Sequence, residues 1–254
     1  MSRLAGKVIL IVGGTTGLGF SAAKRFTAEG AKVVLVGRNP ESAEKARLDI
    51  GENHCRVCVG DATKSATATA AVELCLGAFG SLDGLYHVAG GSGRRMGDGP
   101  LHEITDEGIQ ATLELNLHSV ILSNREAVRA FLARNKTGTI LNMTSVLGFS
   151  PSPRFFATHV YAAAKAAISG FTRSIASYYA ANGIRANAIA PALVETPMAK
   201  RAADDETIMR FIQTKQPLEG GRIGTPEDLD GAAVYFMSDE SRFTTGQTLS
   251  VDGG

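Results

Sequence analysis

The chain has 254 residues, with 26 Lys and Arg against 25 Asp and Glu, for a formal net charge of +1. That balance gives no electrostatic footprint for nucleic acid or a polybasic membrane surface, and the length suits a single large domain spanning residues 1–254. Three cysteines, Cys55, Cys58 and Cys75, are too few and too odd in number for a disulfide framework, and they suit a reducing compartment.

No apolar run approaches the length of a membrane span, and residues 8–12 are too short for a signal segment and lead straight into glycines. The expectation is a soluble, cytoplasmic protein that engages neither membrane nor nucleic acid. Cys55 and Cys58 form a C-x-x-C pair on an apparent strand; without a second pair no metal site is expected.

Taken in order, residues 7–12 are a continuous apolar run of strand length, the pattern of a strand buried on both faces of a parallel sheet. A glycine-rich turn, Gly13 to Gly19, leads to a helical pattern over 20–29, with Gly30 at the C-cap position. Residues 31–36 read as a strand, 41–50 as a helix and 55–59 as a strand, completing one nucleotide-binding half. The alternation continues with a helix over 66–79, a strand over 82–89, a long, mainly helical stretch over 101–134 and a strand over 139–144. A helix over 159–182, a strand over 185–190, a helix from Thr225 and Pro226 to about 238 and a strand over 247–251 follow. The predicted product is a single Rossmann-type, doubly wound α/β domain with a seven-stranded parallel sheet and helices on both faces.

The turn carries Gly13, Gly17 and Gly19 in a G-x-x-x-G-x-G spacing. Glycine allows the backbone to approach a pyrophosphate closely, and the helix N-terminus beyond it offers free amides and a positive dipole end. An acid that reads a ribose 2′-hydroxyl is expected about 20 residues on. Here the sequence is Gly37-Arg38-Asn39. A guanidinium in that place suits a 2′-phosphate, which favours NADP(H) over NAD(H). Asp61, at the end of the third strand, is placed to accept from an adenine amino group or to close a turn.

Tyr161 and Lys165 are four residues apart on a predicted helix and share one face. An ammonium beside a phenol favours the phenolate, so the Tyr161 pKa is expected to fall below its ordinary value. A tyrosine tuned in this way serves as a general acid or base. Asn116 interrupts a helical run where asparagine is a poor helix former.

With these motifs in order, the chain resembles the short-chain dehydrogenase/reductase family over essentially its whole length. The resemblance rests on Gly13-x-x-x-Gly17-x-Gly19, Asp61, Ala89-Gly90, Asn116, Ser145, Tyr161-x-x-x-Lys165, Asn187 with Pro191, Thr196 and the terminal Val251-Asp252-Gly253-Gly254. It implies hydride exchange between NADP(H) and a carbonyl/alcohol substrate. Ser145 would hold the carbonyl oxygen, Tyr161 would be the general acid/base, Lys165 would tune it and hold the nicotinamide ribose, and Asn116 would support a proton relay. It also implies that Thr15, Thr16, Leu18, Ala62, Val88, Ala89, Gly90, Pro191, Val194 and Thr196 line the cofactor with the glycines, Arg38, Asp61, Tyr161 and Lys165. Asn187 would be structural. The four-residue Tyr–Lys spacing resembles the carbonyl-reducing members, such as 3-oxoacyl-carrier-protein reductases, rather than the enoyl-reducing ones. A homotetramer or homodimer is implied, with the long helices around Leu113 and Ile168 pairing between subunits and Ala163, Ala166, Ala167 and Gly170 as a small-residue face.

Departures from the family pattern are Val12 for a threonine, Pro191-Ala192 for Pro-Gly, and an inserted-looking loop over 150–154. His87-Val88 replaces two asparagines that tie strands or line the cofactor, which puts local sheet bonding in question. Ligands of such sheets bind beyond the carboxyl ends of the strands, so loops 91–100, 148–158 and 193–220 should frame the substrate, the last as a lid. Arg94, Arg95 and Arg154 suit either an anionic substrate or plain solvation, with solvation the favoured reading. Phe149, Phe155, Phe156 and Met198 suit an apolar substrate or loop packing. Two rival readings are an NAD-dependent alcohol dehydrogenase, with Arg38 incidental, and a catalytically idle cofactor sensor, which would show no dependence on the Tyr161 hydroxyl.

Overall fold

The structure, a computed structural model, describes residues 2–152, 154–196 and 199–254. Seven strands form one parallel sheet: β1 (Val8–Val12), β2 (Lys32–Gly37), β3 (Cys55–Val59), β4 (Gly84–His87), β5 (Gly138–Met143), β6 (Ile184–Pro191) and β7 (Thr248–Val251). Their order is β3-β2-β1-β4-β5-β6-β7, with every adjacent pair parallel. The switch in winding lies between β1 and β4, and a doubly wound sheet opens its crevice at that point. β1 is buried along its whole length, as its unbroken apolar sequence requires.

Helices cover both faces. α1 (Gly17–Ala28) and α2 (Pro40–Ile50) precede α3 (Ser65–Phe79). One face packs Phe26 of α1 against Tyr86, Leu141 and Phe236, and the other packs Val72 of α3 against Leu85, Phe131 and Ile140. Cys55 belongs to the first cluster and Cys58 packs against the second. A spacing of three places residues on opposite faces of a strand, so the two thiols of the C-x-x-C point apart, and burial pushes the Cys55 thiol up to about 11.

The predicted helical stretch over 101–134 is divided. A short 3-10 turn at Leu101–Glu103 precedes α4 (Asp106–Leu113), whose N-cap Thr105 accepts a hydrogen bond from the Gly108 amide. A π-helical turn at Glu114–His118 then leads into α5 (Ser119–Ala133). The chain continues through α6 (His159–Tyr179), the short α7 (Lys200–Ala203), α8 (Glu206–Lys215) and α9 (Asp230–Met237). Among the described residues, no helix is long and apolar enough to cross a membrane.

The concern raised by His87 is corrected. Val12, His87 and Asn142 remain in register across β1, β4 and β5, and the Val88 and Ala89 amides both donate to the Val12 carbonyl at 2.8 and 2.9 Å. The imidazole is fully buried between two serines of α5, with Nδ1 2.7 Å from Ser123 Oγ and Nε2 3.3 Å from Ser119 Oγ. Burial, aided by the Lys165 charge, holds it down at about 3, so it is neutral.

Asp230 opens α9 and accepts a hydrogen bond from Ser21 of α1 at 2.8 Å, while its Oδ1 has no partner among the described residues. Burial holds its carboxyl up at about 6, against about 3.9 in an unfolded chain. The folded state therefore binds this proton more tightly, and the contribution to stability falls as pH rises from about 4 to 6. Asp230→Asn is expected to be more stable than the parent at pH 7 by about 1–3 kcal/mol, with the gain gone at pH 4. Urea unfolding at the two pH values measures it, and an equal difference at both would refute the assignment.

Candidate active site

The site grows from the carboxyl edge of the sheet. After β1 the Gly13 and Gly14 amides both donate to the Val36 carbonyl, at 2.9 and 3.1 Å, closing the turn against β2. Gly13 has φ +83°, and a Cβ there would lie 2.7 Å from the Ala89 nitrogen; at Gly19 it would lie 2.1 Å from the Gly13 carbonyl oxygen. Only glycine fits this stacking of the turn, the start of α1 and Ala89. α1 starts at Gly17 rather than near residue 20: Gly17 enters it at φ +53°, and Gly19 already lies within the helix.

Thr16 occupies the N-cap in an extended conformation, and its side chain makes no capping bond. The first amides of α1 are therefore left for a ligand, beside a cradle that any side chain would fill. Thr15 is buried beneath Gly37, where a Cβ would come 2.3 Å from its hydroxyl. Leu18 and Val88 pack at the edge of one core cluster, and Ala62 and Ala89 at the edge of the other. These residues fit a dinucleotide lying across the turn.

Arg38 follows Gly37 directly, is exposed and forms no ion pair among the described residues. Its neighbour Asn39 caps α2 by accepting from the Ser42 amide at 2.8 Å, which fixes the chain on its far side. Asp61 accepts from the Thr63 amide at 2.9 Å, and that bond, with a smaller pull from Arg38, holds its carboxyl below the usual range. The turn role and the proximity to Arg38 thus coexist at Asp61.

On the other side of the crevice, Ser145 stands just beyond β5, and its Oγ accepts from the Leu147 amide at 3.2 Å. The turn it opens is pressed onto α6, because a Cβ at Gly148 would lie 2.8 Å from the Ala166 nitrogen. Thr144 adds a second tie, donating to the Lys165 carbonyl at 2.6 Å. Tyr161, partly exposed at the start of α6, has its phenol beside the Ser145 hydroxyl. Lys165 lies one turn on, 2 % exposed, with Nζ donating to the Met143 carbonyl at 2.9 Å and 5.5 Å from the centre of the Tyr161 ring.

The expected lowering of the Tyr161 pKa is not what this arrangement gives. Desolvation of the phenol raises it, and the nearby Ser145 hydroxyl opposes that. Burial brings the Lys165 amine down to about 8. The physical reason is that burial of the phenol outweighs the contact with Ser145, while the ammonium donates to the Met143 carbonyl.

Asn116 is fully buried in the π turn. Its Nδ2 donates to the carbonyls of Gly91 and Thr112, each at 2.9 Å, and its Oδ1 accepts from the Gly91 amide at 3.0 Å. The side chain thus pins the strand β4 exit next to Lys165: a Cβ on Gly90 would lie 2.8 Å from Asn116 Oδ1 and 3.3 Å from Lys165 Nζ. Ser145, Tyr161, Lys165, Asn116 and Gly90 converge at one place, on four different elements.

Beyond β6, which ends at Pro191, Val194 bridges to Gly224 and Thr196 accepts from the Ala199 amide at 3.3 Å. Asn187 is structural, donating to the Thr244 carbonyl and accepting from the Gln247 amide, both at 3.0 Å. Met198 lies outside the described residues. Over this edge sits a small separate core of Ala202, Ile208 and Ile212, packed against Phe155, Phe156 and Phe211.

One residue that sequence reading passed over is Asp98. It is 3 % exposed, and its two oxygens accept from the Val160 amide at 3.1 Å and the Tyr161 amide at 2.8 Å. It supplies the cap that Thr158 does not. Its flanks, Gly97 and Gly99, signal only a turn, and nothing in sequence spacing connects position 98 with the helix 60 residues on.

The family model described as Enoyl-(Acyl carrier protein) reductase matches residues 12–254. The chain is 35 % identical to 2-(S)-hydroxypropyl-CoM dehydrogenase 3 of Xanthobacter autotrophicus, over 100 % of this chain and 98 % of that protein. It is 32 % identical to the 3-oxoacyl-[acyl-carrier-protein] reductase FabG of Chlamydia muridarum, over 100 % and 98 %. Among solved structures, a 3-ketoacyl-(acyl-carrier-protein) reductase from Brucella melitensis complexed with NADH superposes with a TM-score of 0.86 and 31 % identity, covering 99 % of this chain and 98 % of that one. The chain belongs to the short-chain dehydrogenase/reductase family, whose members are oxidoreductases that bind a nicotinamide cofactor.

Proposed function

We propose that the protein interconverts a carbonyl and an alcohol with NADP(H). The observation that carries this reading is the Tyr161 phenol beside the Ser145 hydroxyl, with Lys165 buried one turn on and its Nζ 5.5 Å from the ring centre. NADP(H) supplies or accepts the hydride when bound. Ser145 holds the substrate oxygen through its hydroxyl, where charge develops on reduction. Tyr161 gives its proton to that oxygen. At neutral pH the raised phenol carries its proton and Lys165 carries its charge, which is the state needed for reduction. Asn116 holds Gly91 and the β4 exit in place beside Lys165, whose ammonium lies 5.5 Å from the centre of the Tyr161 ring.

The preference for NADP(H) rests on Arg38, exposed, without an ion pair among the described residues and one residue past the end of β2. A related reductase bound to NADH shows that the family also accommodates the cofactor lacking the 2′-phosphate, which keeps the NAD-dependent reading as the alternative. Titration of the purified protein by nicotinamide fluorescence decides between them. NADPH is expected to bind at least about tenfold more tightly than NADH, roughly 1.4 kcal/mol, and Arg38→Ala is expected to remove the gap. Equal affinities in the parent chain would make Arg38 a surface arginine. Binding of neither cofactor would remove the enzyme reading altogether.

We also assign the pairing surface of an oligomer to the α4–α5 face, where Ile109 and Ile121 are exposed beside Leu113 and Leu117. The small residues Ala163, Ala166 and Gly170 of α6 leave their face equally open.

A further inference from the structure

Three loops leave the carboxyl edge of the sheet beside Tyr161, and each contributes an arginine to one cavity. Arg94 comes from the segment after β4, Arg154 from the segment after β5, and Arg201 from α7 after β6. With Phe155, Phe156 and Ile208 they line about 140 Å³. Arg95, grouped with Arg94 and Arg154 on sequence grounds, is not part of this lining, whereas Arg201 was not singled out.

We propose that Arg94, Arg154 and Arg201 form a subsite for a compact anionic group, a phosphate, sulfonate or carboxylate, carried by the small-molecule substrate. The inference rests on the carbonyl-reducing reading of the adjacent site and extends it to the class of substrate.

Charge supports the proposal first. Three guanidiniums around one cavity repel one another, and such an arrangement is favourable only when an anion or bulk solvent offsets it. Among the described residues, no carboxylate lies within ion-pairing distance of any of the three, whereas Arg210 on neighbouring α8 pairs with Glu206. Asp98, the acid that helps Arg94, spends both oxygens on the α6 amides. Burial and the nearby Arg201 charge both push the Arg94 guanidinium down. An entering anion would reverse that second effect.

Shape supports it next. Water takes about 30 Å³ in the liquid, so the cavity holds about four or five water-sized groups. That suits a tetrahedral or planar oxyanion on a short stem and is too small for a protein surface. Its floor is the small core that joins Phe155 and Phe156 to Ile208 and Ala202. Phe156 is held there at φ +63°, a conformation costly for a bulky residue and typical of sites whose geometry is fixed for a ligand. Arg154 lies over the Phe155 ring, 5.4 Å from its centre, which orients its fork.

Position supports it last. Arg94 is four residues from Asp98, which bonds the Tyr161 amide. An anion held by Arg94 therefore sits on the same short loop that is fastened to the proton donor, at a separate place from the Arg38 end of the crevice.

The test uses the full chain and two readouts. The first is calorimetric titration with ethanesulfonate and with inorganic phosphate at low ionic strength. Saturable binding is expected in the parent chain and in Arg38→Ala, and loss of at least about tenfold in affinity, roughly 1.4 kcal/mol, in Arg94→Gln with Arg154→Gln and in Arg201→Gln. The second is the ratio of kcat/KM for 4-oxopentanoate and 5-oxohexanoate to that for their methyl esters. The acids are expected to be preferred at least about tenfold, and the arginine variants to lose that preference.

Arginine-dependent anion binding without turnover of any ketone would remove the reductase reading and leave the subsite standing. Turnover of the esters with no acid preference and no anion binding would remove the subsite and leave the reductase reading standing. Anion binding lost in Arg38→Ala but kept in the arginine variants would place the anion in the cofactor site and overturn the proposal. Discrimination seen only with an acyl-carrier-protein-bound substrate, with no binding of small anions, would overturn it as well.

Discussion

Tyr161→Phe is expected to lower kcat for carbonyl reduction by about 10²–10⁴ while leaving NADPH affinity within about threefold, because a positioned proton donor is worth that much. The substitution removes one hydroxyl, and the ring keeps its place at the start of α6. Ser145 keeps its bond from the Leu147 amide at 3.2 Å, so the turn it opens survives. The parent enzyme is also expected to lose kcat/KM as pH rises through about 8, where Lys165 gives up the charge that it holds beside the ring. For stability the sign is opposite. The folded lysine sits below the unfolded value of about 10.4, so the cost of burying its charge is relieved between about pH 8 and 10. Steady-state reduction with NADPH and stopped-flow cofactor binding measure the two quantities. Retention of more than about a third of kcat in Tyr161→Phe, against the expected loss, would show that the phenol is not the donor.

Asp98→Ala is expected to act on both stability and chemistry. Its two oxygens carry the Val160 and Tyr161 amides, and the carboxylate sits at the positive end of a 21-residue helix. Loss of a buried cap with that charge costs about 1–3 kcal/mol, or a fall in Tm of about 2–10 °C for a chain of this size. The same loss frees the first turn of α6, where Tyr161 must meet Ser145. A fall in kcat of about tenfold per folded molecule is expected, with the KM for NADPH little changed, since a small displacement of a reacting group carries that kind of penalty. Asp98→Asn keeps an acceptor and should recover part of both losses. A variant with lowered Tm but unchanged kcat at 25 °C would make Asp98 a purely structural cap.

What the sequence disclosed, and what it hid, follows from the range of each interaction. The run Val8–Val12 and the strand Cys55–Val59 are local patterns, and both lie where periodicity put them. The glycine turn is also local, because its backbone angles and close approaches are set within a few residues and against the next strand. Asp98, by contrast, acts on a helix 62 and 63 residues away, and no spacing rule reaches that far. The grouping of Arg201 with Arg94 and Arg154 depends on how three separate loops fold over one edge. The direction of the Tyr161 shift depended on how far the folded chain desolvates the phenol, which a shared helical face does not fix. His87 looked like damage to the sheet because its partners, Ser119 and Ser123, lie on a helix rather than a strand.

The π turn at Glu114–His118 carries an evolutionary consequence. One residue added to an α-helix turns everything beyond it by about 100°, and a π turn absorbs that surplus so the rest keeps its orientation. Here the part that keeps its orientation includes Ser119, Ser123 and Phe131, which hold His87 and the core. The surplus residue lies in the turn that presents Asn116 to Gly91. Loss of a single codon within that turn would therefore let the helix close into a regular one, keep the core packed and withdraw Asn116 from the crevice. Folding and chemistry are separable here by one deletion, which gives descendants of this gene a short path to a stable protein without the reaction.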